Sequence, residues 1–136
     1  MVAMRLQGKK VLIVDDDEDI LGSIDLAMRA EGADTQTVTD GNAAVAACEG
    51  DGPDAVVLDM MLPGRSGFLV LEKIKQSARP PVVVMITANQ GKRHMAYAET
   101  LGCDAYLVKP VPLQRLVDTV VRLLFGDERA KAGRKG

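Results

Sequence analysis

Val11-Leu12-Ile13-Val14-Asp15-Asp16-Asp17-Glu18-Asp19 opens on four apolar residues and closes on five acids. An apolar run this short suits a buried strand and is too brief for a core helix. The pattern recurs. Ala55-Val56-Val57-Leu58 runs into Asp59, Val82-Val83-Val84-Met85-Ile86 stops at Thr87, and Tyr106-Leu107-Val108 stops at Lys109. Taken as neighbouring parallel strands, the four runs place their carboxyl ends along one sheet edge, where open α/β folds bind ligands. Three carboxylates, a hydroxyl and an ammonium then converge on one crevice.

Between these runs the periodicity turns helical. The spacing predicts a helix over about 17–31, with Ile20, Ile24, Ala27 and Met28 on one stripe and Gly32 as its stop. A polar strand over 34–39 follows, then a turn at Asp40-Gly41 and a short Ala-rich helix through Cys48. Gly50-Asp51-Gly52-Pro53 breaks the chain before the third strand. Further helices are expected over about 67–76, with Leu71 and Ile74 inward, over 92–101, and from Pro112 at a first turn to Phe125. Five strand–helix units with near-continuous apolar strands imply a doubly wound α/β fold whose parallel sheet is covered on both faces. The polar second strand suits one edge and the short fifth strand the other. The five-stranded order 2-1-3-4-5 satisfies this with right-handed crossovers and brings Asp15, Asp16 and Asp59 together at the switch in winding direction.

The 136 residues suit one domain, expected over 9–125, with 126–136 as a flexible tail carrying Arg129, Lys131, Arg134 and Lys135. A net charge of -2 argues against direct nucleic-acid binding, which usually requires a basic excess. No apolar run approaches the roughly 20 residues of a membrane span, and the start has no secretory apolar segment. A cytoplasmic location is expected, with no membrane partner. Cys48 and Cys103 show no metal-ligand spacing and read as buried, reduced thiols in helical contexts.

Each site residue has an ordinary reading and a chemical one. Asp17, Glu18 and Asp19 suit a helix N-terminus, where carboxylates cap free amides and oppose the macrodipole. Asp15 and Asp16 sit at the strand end, where like charges cluster at a cost unless a cation joins them; a hard ion such as Mg²⁺ takes carboxylates, carbonyls and waters. Asp59 is a turn or cap residue, or else an oxygen nucleophile toward phosphorus. Thr87 is a β-branched strand residue, or a hydroxyl that reaches a phosphoryl oxygen past the small Ala88. Lys109 is an edge charge, or a point charge for phosphate.

Val14-Asp15-Asp16-Asp17, Leu58-Asp59-Met60-Met61-Leu62-Pro63-Gly64, Thr87-Ala88 and Lys109-Pro110 together resemble the signature of a response-regulator receiver domain, flavodoxin-like in fold and similar to chemotaxis receivers. The resemblance covers nearly the whole chain. It implies that Asp15, Asp16, Asp59 and the carbonyl of Met61 bind Mg²⁺. It implies that Asp59 accepts a phosphoryl group from a histidine kinase or histidine phosphotransfer protein, and that Thr87 and Lys109 hold the aspartyl phosphate oxygens. Tyr106 matches the aromatic that turns inward as Thr87 moves, and Lys109-Pro110 matches a cis bond. A receiver is a phosphoprotein of two-component, phosphorelay signal transduction, with self-phosphorylation and autodephosphorylation as its only chemistry. Eleven tail residues are too few for a DNA-binding output, so the expectation is a stand-alone receiver or one cut from a longer chain.

Two other functions fit parts of the pattern. A Mg²⁺-dependent phosphohydrolase with an aspartyl-phosphate intermediate usually has an acid/base aspartate two residues after its nucleophile, and here that position is Met61. A non-phosphorylated interaction module of the same fold generally lacks part of the acidic set, which is complete here. His94, the only histidine, is expected on a solvated surface; Met60, Met85 and Met95 read as core gap-fillers. On the last helix Leu113, Leu116, Val117, Val120 and Leu124 form the expected inward stripe. Val121 and Phe125 are placed beside it, toward Tyr106, as a face for a downstream protein target. The resemblance implies that Met61 and Asn89, two residues beyond Asp59 and Thr87, flank water's approach to the aspartyl phosphate.

Overall fold

In the computed structural model, which describes residues 4–88 and 91–132, β1 (Lys10–Val14), β2 (Asp34–Val38), β3 (Ala55–Asp59), β4 (Val82–Thr87) and β5 (Ala105–Val108) alternate with helices. These are α1 (Glu18–Ala30), α2 (Gly41–Ala47), α3 (Gly67–Lys75), α4 (Lys92–Thr100), α5 (Leu113–Phe125) and α6 (Asp127–Ala132). The strands form one parallel sheet in the order β2-β1-β3-β4-β5, as expected. Val14 pairs with Leu58, Leu58 with Met85 and Thr87 with Val108, so the strand ends lie level across four strands.

Strand side chains alternate between faces, and both faces are covered. Val11, Ile13, Val57, Val84 and Ile86 pack with Ile24, Met28, Leu116 and Val120 on the α1/α5 side. Leu12, Val56, Leu58, Val83 and Met85 pack with Val70, Leu71, Ile74 and Ala98 on the α3/α4 side. Each such side chain taken from water contributes about 1.5–3 kcal/mol, so β1, β3 and β4 carry most of the fold. In β2, by contrast, no residue is fully buried, which is why it forms an edge.

Caps mark the helix starts. Asp17 accepts from the amides of Asp19 and Ile20 at 3.0 and 3.2 Å, Asp40 from Ala43 at 2.8 Å, and Ser66 from Leu69 at 3.4 Å. Asp17 is therefore a cap, as its ordinary reading held.

Several expectations are corrected. Residues 127–132 form α6 in place of the start of a flexible tail. Gly126, at φ 98°, turns the chain back, and the carbonyl of the buried Ala130 accepts a 2.6 Å bond from Arg5. Arg5 is itself buried, paired through Nε with Glu31 at 2.9 Å and through Nη1 with Asp118 at 2.9 Å. Residues 133–136 lie outside the described residues. On α5, Leu113, the first residue of the helix, is exposed, whereas Val121 is completely buried. Phe125 is half-buried between the Lys9 ammonium at 5.3 Å and the Arg129 guanidinium at 4.0 Å. The inward stripe is thus wider than expected, because α1, α6 and the segment before β1 all cover α5, and Val121 and Phe125 offer no open docking face.

His94 is half-buried, with its ring 6.0 Å from that of Phe68 and parallel to it; Tyr97 meets Phe68 edge-on at 5.0 Å. It is not the solvated side chain expected, since α4 lies against the first turn of α3. Cys48 caps the end of α2, while Cys103 lies in the loop between α4 and β5 and not in a helix. Both are unpaired thiols and half-buried. Burial pushes the Cys48 thiol up to about 11, so it stays protonated at neutral pH.

Candidate phosphoryl-acceptor site

The five residues that the apolar runs end on meet at the carboxyl edge of the sheet. Asp15 and Thr87 are fully buried, Asp59 is 4% exposed, Lys109 is half-buried and Asp16 faces solvent. Strand pairing sets this arrangement: β1 and β3 are neighbours, so their terminal aspartates lie side by side, and β4 and β5 bring Thr87 and Lys109 in from the other flank. The backbone N–H of Lys109 donates to the Thr87 carbonyl at 2.7 Å, and Lys109-Pro110 is cis.

Lys109 Nζ lies 3.2 Å from Asp15 Oδ2 and 3.5 Å from Asp59 Oδ2. The other carboxylate oxygens take backbone donors: Asp15 Oδ1 accepts from Asp17 at 2.9 Å and Asp59 Oδ1 from Met61 at 3.1 Å. Burial raises the Asp59 carboxyl above the ordinary carboxylate range. The Met61 N–H and Lys109 pull it down and the Asp15 charge pushes it further up, with a net rise. Burial lowers the Lys109 ammonium, but the Asp59 and Asp15 charges more than offset this, and its pKa is raised. The lysine therefore remains a cation beside the two carboxyl groups.

Carboxylate oxygens of Asp15, Asp16 and Asp59 lie within 4.8 Å of one another. All are hard oxygen donors, and Asp16 leaves one side open to water, so the set fits a small divalent cation that keeps part of its hydration shell. Met61, two residues after Asp59, is 68% exposed. Tyr106 is turned inward: its hydroxyl reaches Met60 Sδ at 3.9 Å and hydrogen-bonds Thr87, and burial is the main cause of its raised phenol pKa. Asn89 lies outside the described residues.

A sequence model of the response regulator receiver domain matches residues 11–121. The chain belongs to this family. It is 36% identical over 114 residues to the sensory transduction protein RegX3 of Mycobacterium tuberculosis, an alignment covering 84% of this chain and 50% of that one. The chain thus spans about half the length of the curated relatives it matches. Among solved structures, the CheY-like receiver domain protein of Methanospirillum hungatei superposes with a TM-score of 0.82 at 29% identity, over 92% of this chain and 98% of that one. The receiver domain of sensor histidine kinase PA1611 from Pseudomonas aeruginosa, solved with a magnesium ion coordinated in its active site cleft, gives a TM-score of 0.77 at 25% identity over 88% and 98% of the two chains.

Receiver domains of response regulators are the phosphoacceptor switches of two-component systems; histidine kinases phosphorylate them, and they bind Mg²⁺ in an acidic site. The receiver fold seen here brings Asp15, Asp16, Asp59 and Lys109 together, with Thr87 and Tyr106 on the flanking strands β4 and β5. Sequence reasoning gave no special place to Met60 and Gly67, which hold the backbone of the acceptor. The Gly67 N–H donates to the Met60 carbonyl at 2.9 Å, and a Cβ on Gly67 would fall 2.6 Å from Met60 Cα. A small residue three positions after Pro63-Gly64, at a helix start, was the available signal.

Proposed function

We propose that this receiver accepts a phosphoryl group on Asp59 from a histidine kinase or histidine phosphotransfer protein and thereby alters a protein-binding face. The observation that carries this reading is the position of Asp59: nearly buried at a strand end, with one oxygen 3.5 Å from Lys109 and carboxylates of Asp15 and Asp16 within 4.8 Å. In the proposed step an Asp59 carboxylate oxygen attacks phosphorus as the phosphorus–nitrogen bond to the donor imidazole breaks in line, and the departing nitrogen keeps the electron pair. Lys109 balances charge gathering on the phosphoryl oxygens. Asp15, Asp16, Asp59 and the Met61 carbonyl would hold Mg²⁺, which supplies further neutralisation of those oxygens when bound. Thr87, fully buried beside the crevice, would receive one of them.

The product brings close to two negative charges to one strand end. Moving a two-state equilibrium from 1:99 to 99:1 requires about 5.5 kcal/mol of preference, within reach of new bonds to Thr87 and Lys109. Beside Lys109, a cavity of about 510 Å³ lined by Ile20, Ile24, Ile86, Val111, Leu113 and Leu116 supports docking of the phosphodonor protein next to the acceptor. Among the described residues no helix is long and apolar enough to cross a membrane. A cytoplasmic setting, where a kinase could present its phosphohistidine, completes the reading.

Incubation with a small phosphodonor and Mg²⁺, followed by intact-mass measurement and peptide mapping, tests it. One added phosphoryl mass on Asp59, absent from Asp59→Asn, is expected. Undiminished uptake by Asp59→Asn would remove the assignment.

A further inference from the structure

Met60 follows the acceptor directly and is 4% exposed, packed in the α3/α4-side core. Its backbone is held from two sides. The N–H donates to the Ile86 carbonyl on β4 at 3.0 Å, and the carbonyl accepts from Gly67, the first residue of α3, at 2.9 Å. Gly67 presses so closely that an added Cβ would stand 2.7 Å from the Asp59 carbonyl oxygen. The chain at residues 59–60 therefore has little room to absorb a displacement locally. The peptide joining Met60 to Met61 contains both the carbonyl bound by Gly67 and the N–H that Asp59 Oδ1 accepts at 3.1 Å. Any change at that carboxylate pulls on this peptide.

The Met60 side chain ends at Tyr106. Its sulfur stands 3.9 Å from the tyrosine hydroxyl, which also bonds Thr87. Thioether sulfur is a weak acceptor and packs favourably on aromatic groups. The two partners thus belong to different strands, one joined covalently to Asp59 and one at the end of β4.

We infer that Met60 is a positioning residue for Tyr106, holding the ring inward and passing the state of Asp59 to it by a path separate from Thr87. This rests on the phosphoacceptor reading above. Met60→Leu keeps the packing volume and removes the acceptor atom; Met60→Gln restores an acceptor at similar reach. Tyr97→Phe leaves Tyr106 as the sole tyrosine, since the chain has two, and allows 3-fluorotyrosine to be followed by fluorine NMR.

With Mg²⁺ alone, Met60→Leu should shift the Tyr106 resonance, and Met60→Gln should bring it back toward the parent. With Mg²⁺ and beryllofluoride, the shift seen in the parent should be reduced at least twofold in Met60→Leu. The rate of phosphoryl uptake from a small donor should change less than twofold, which separates positioning from general disruption of the site. Tyr106 resonances that coincide in parent and Met60→Leu, with and without the mimic, overturn the inference. If the parent takes up no phosphoryl group, the function proposed above fails instead, and the comparison in Mg²⁺ alone still decides whether Met60 positions the ring.

Discussion

Asp59→Asn should make the metal-free protein more stable while abolishing its chemistry. At an effective dielectric near 20, charges no more than 4.8 Å apart repel by at least about 3.5 kcal/mol, and an ion pair at 3.5 Å gains about 4.7 kcal/mol. Repulsion from Asp15 thus cancels most of the attraction to Lys109, which Asp15 also shares. Asp16 adds to the repulsion, screened because it is exposed. The remaining attraction, roughly 1 kcal/mol, falls short of the several kcal/mol lost on burying a carboxylate. Asparagine removes the charge and keeps an oxygen for the Met61 N–H. We expect a gain of about 1–3 kcal/mol in EDTA at neutral pH, or a melting temperature higher by about 3–9 °C for a domain of this size.

The pH dependence has a definite sign. Because burial and Asp15 raise the folded-state pKa of Asp59, the folded protein holds that proton more tightly than the unfolded chain. Its contribution to stability is therefore fully present below the ordinary carboxylate pKa and is lost as pH rises through the folded value. Asp59→Asn has no such loss, so its advantage should open across that interval and then stay level. Mg²⁺ should stabilise the parent by about 2.7 kcal/mol at 100 times its dissociation constant and the variant by less, narrowing the gap. Urea denaturation followed by circular dichroism, in EDTA and in Mg²⁺, measures both. A variant no more stable than the parent in EDTA, or a gap indifferent to Mg²⁺, would refute the electrostatic reasoning.

Asp16→Ala should keep the fold, since Asp16 is exposed, yet weaken Mg²⁺ binding by at least tenfold and slow phosphoryl uptake; calorimetric Mg²⁺ titration and a phosphorylation time course check this. Arg5→Met leaves Glu31 and Asp118 without their buried cation and should cost about 3–5 kcal/mol in urea denaturation, with phosphoryl uptake by the folded protein unchanged. Under 1 kcal/mol would mean that the ion pairs with Glu31 and Asp118 contribute little to the fold. Met61→Asn with Asn89→Glu should shorten the phosphoryl lifetime by giving water polar groups to orient it, as phosphate release from purified phosphoprotein would show. A double variant no faster than the parent would mean that these side chains do not set the lifetime.

The sheet and its crevice were legible because their signals are local. A strand buried on both faces must be almost wholly apolar, so the residue that ends it is conspicuous: Asp15, Asp59, Thr87 and Lys109 could be placed on one edge before any coordinates. Asp34–Val38 betrayed its edge position by the same logic. What escaped was long-range. Arg5 lies 26 residues from Glu31 and 113 from Asp118, and nothing in its neighbourhood tells a buried cation from a surface one. The basic composition after Phe125 suggested a solvated tail; the docking of Ala130, whose carbonyl accepts from Arg5, depends on a neighbour supplied by the other end of the chain. Val121 was misplaced for a related reason, since helical periodicity locates a stripe but not every element that will cover it. The resemblance implied only that Tyr106 turns inward as Thr87 moves; its contact with Met60 follows from the path of the loop after Asp59.

The sheet also divides the molecule for anyone wishing to attach something to it. Met60, Phe68 and Tyr106 pack on one side, whereas Phe125 and Ala130, with the helices α1 and α5, pack on the other. A fluorophore or surface anchor on α1 at Leu26, which is 70% exposed, would load the second layer and leave the first unencumbered. An anchor there would leave the layer holding Tyr106 open, while sharing α1 with the cavity beside Lys109, so a receiver immobilised in this way is suited to small phosphodonors.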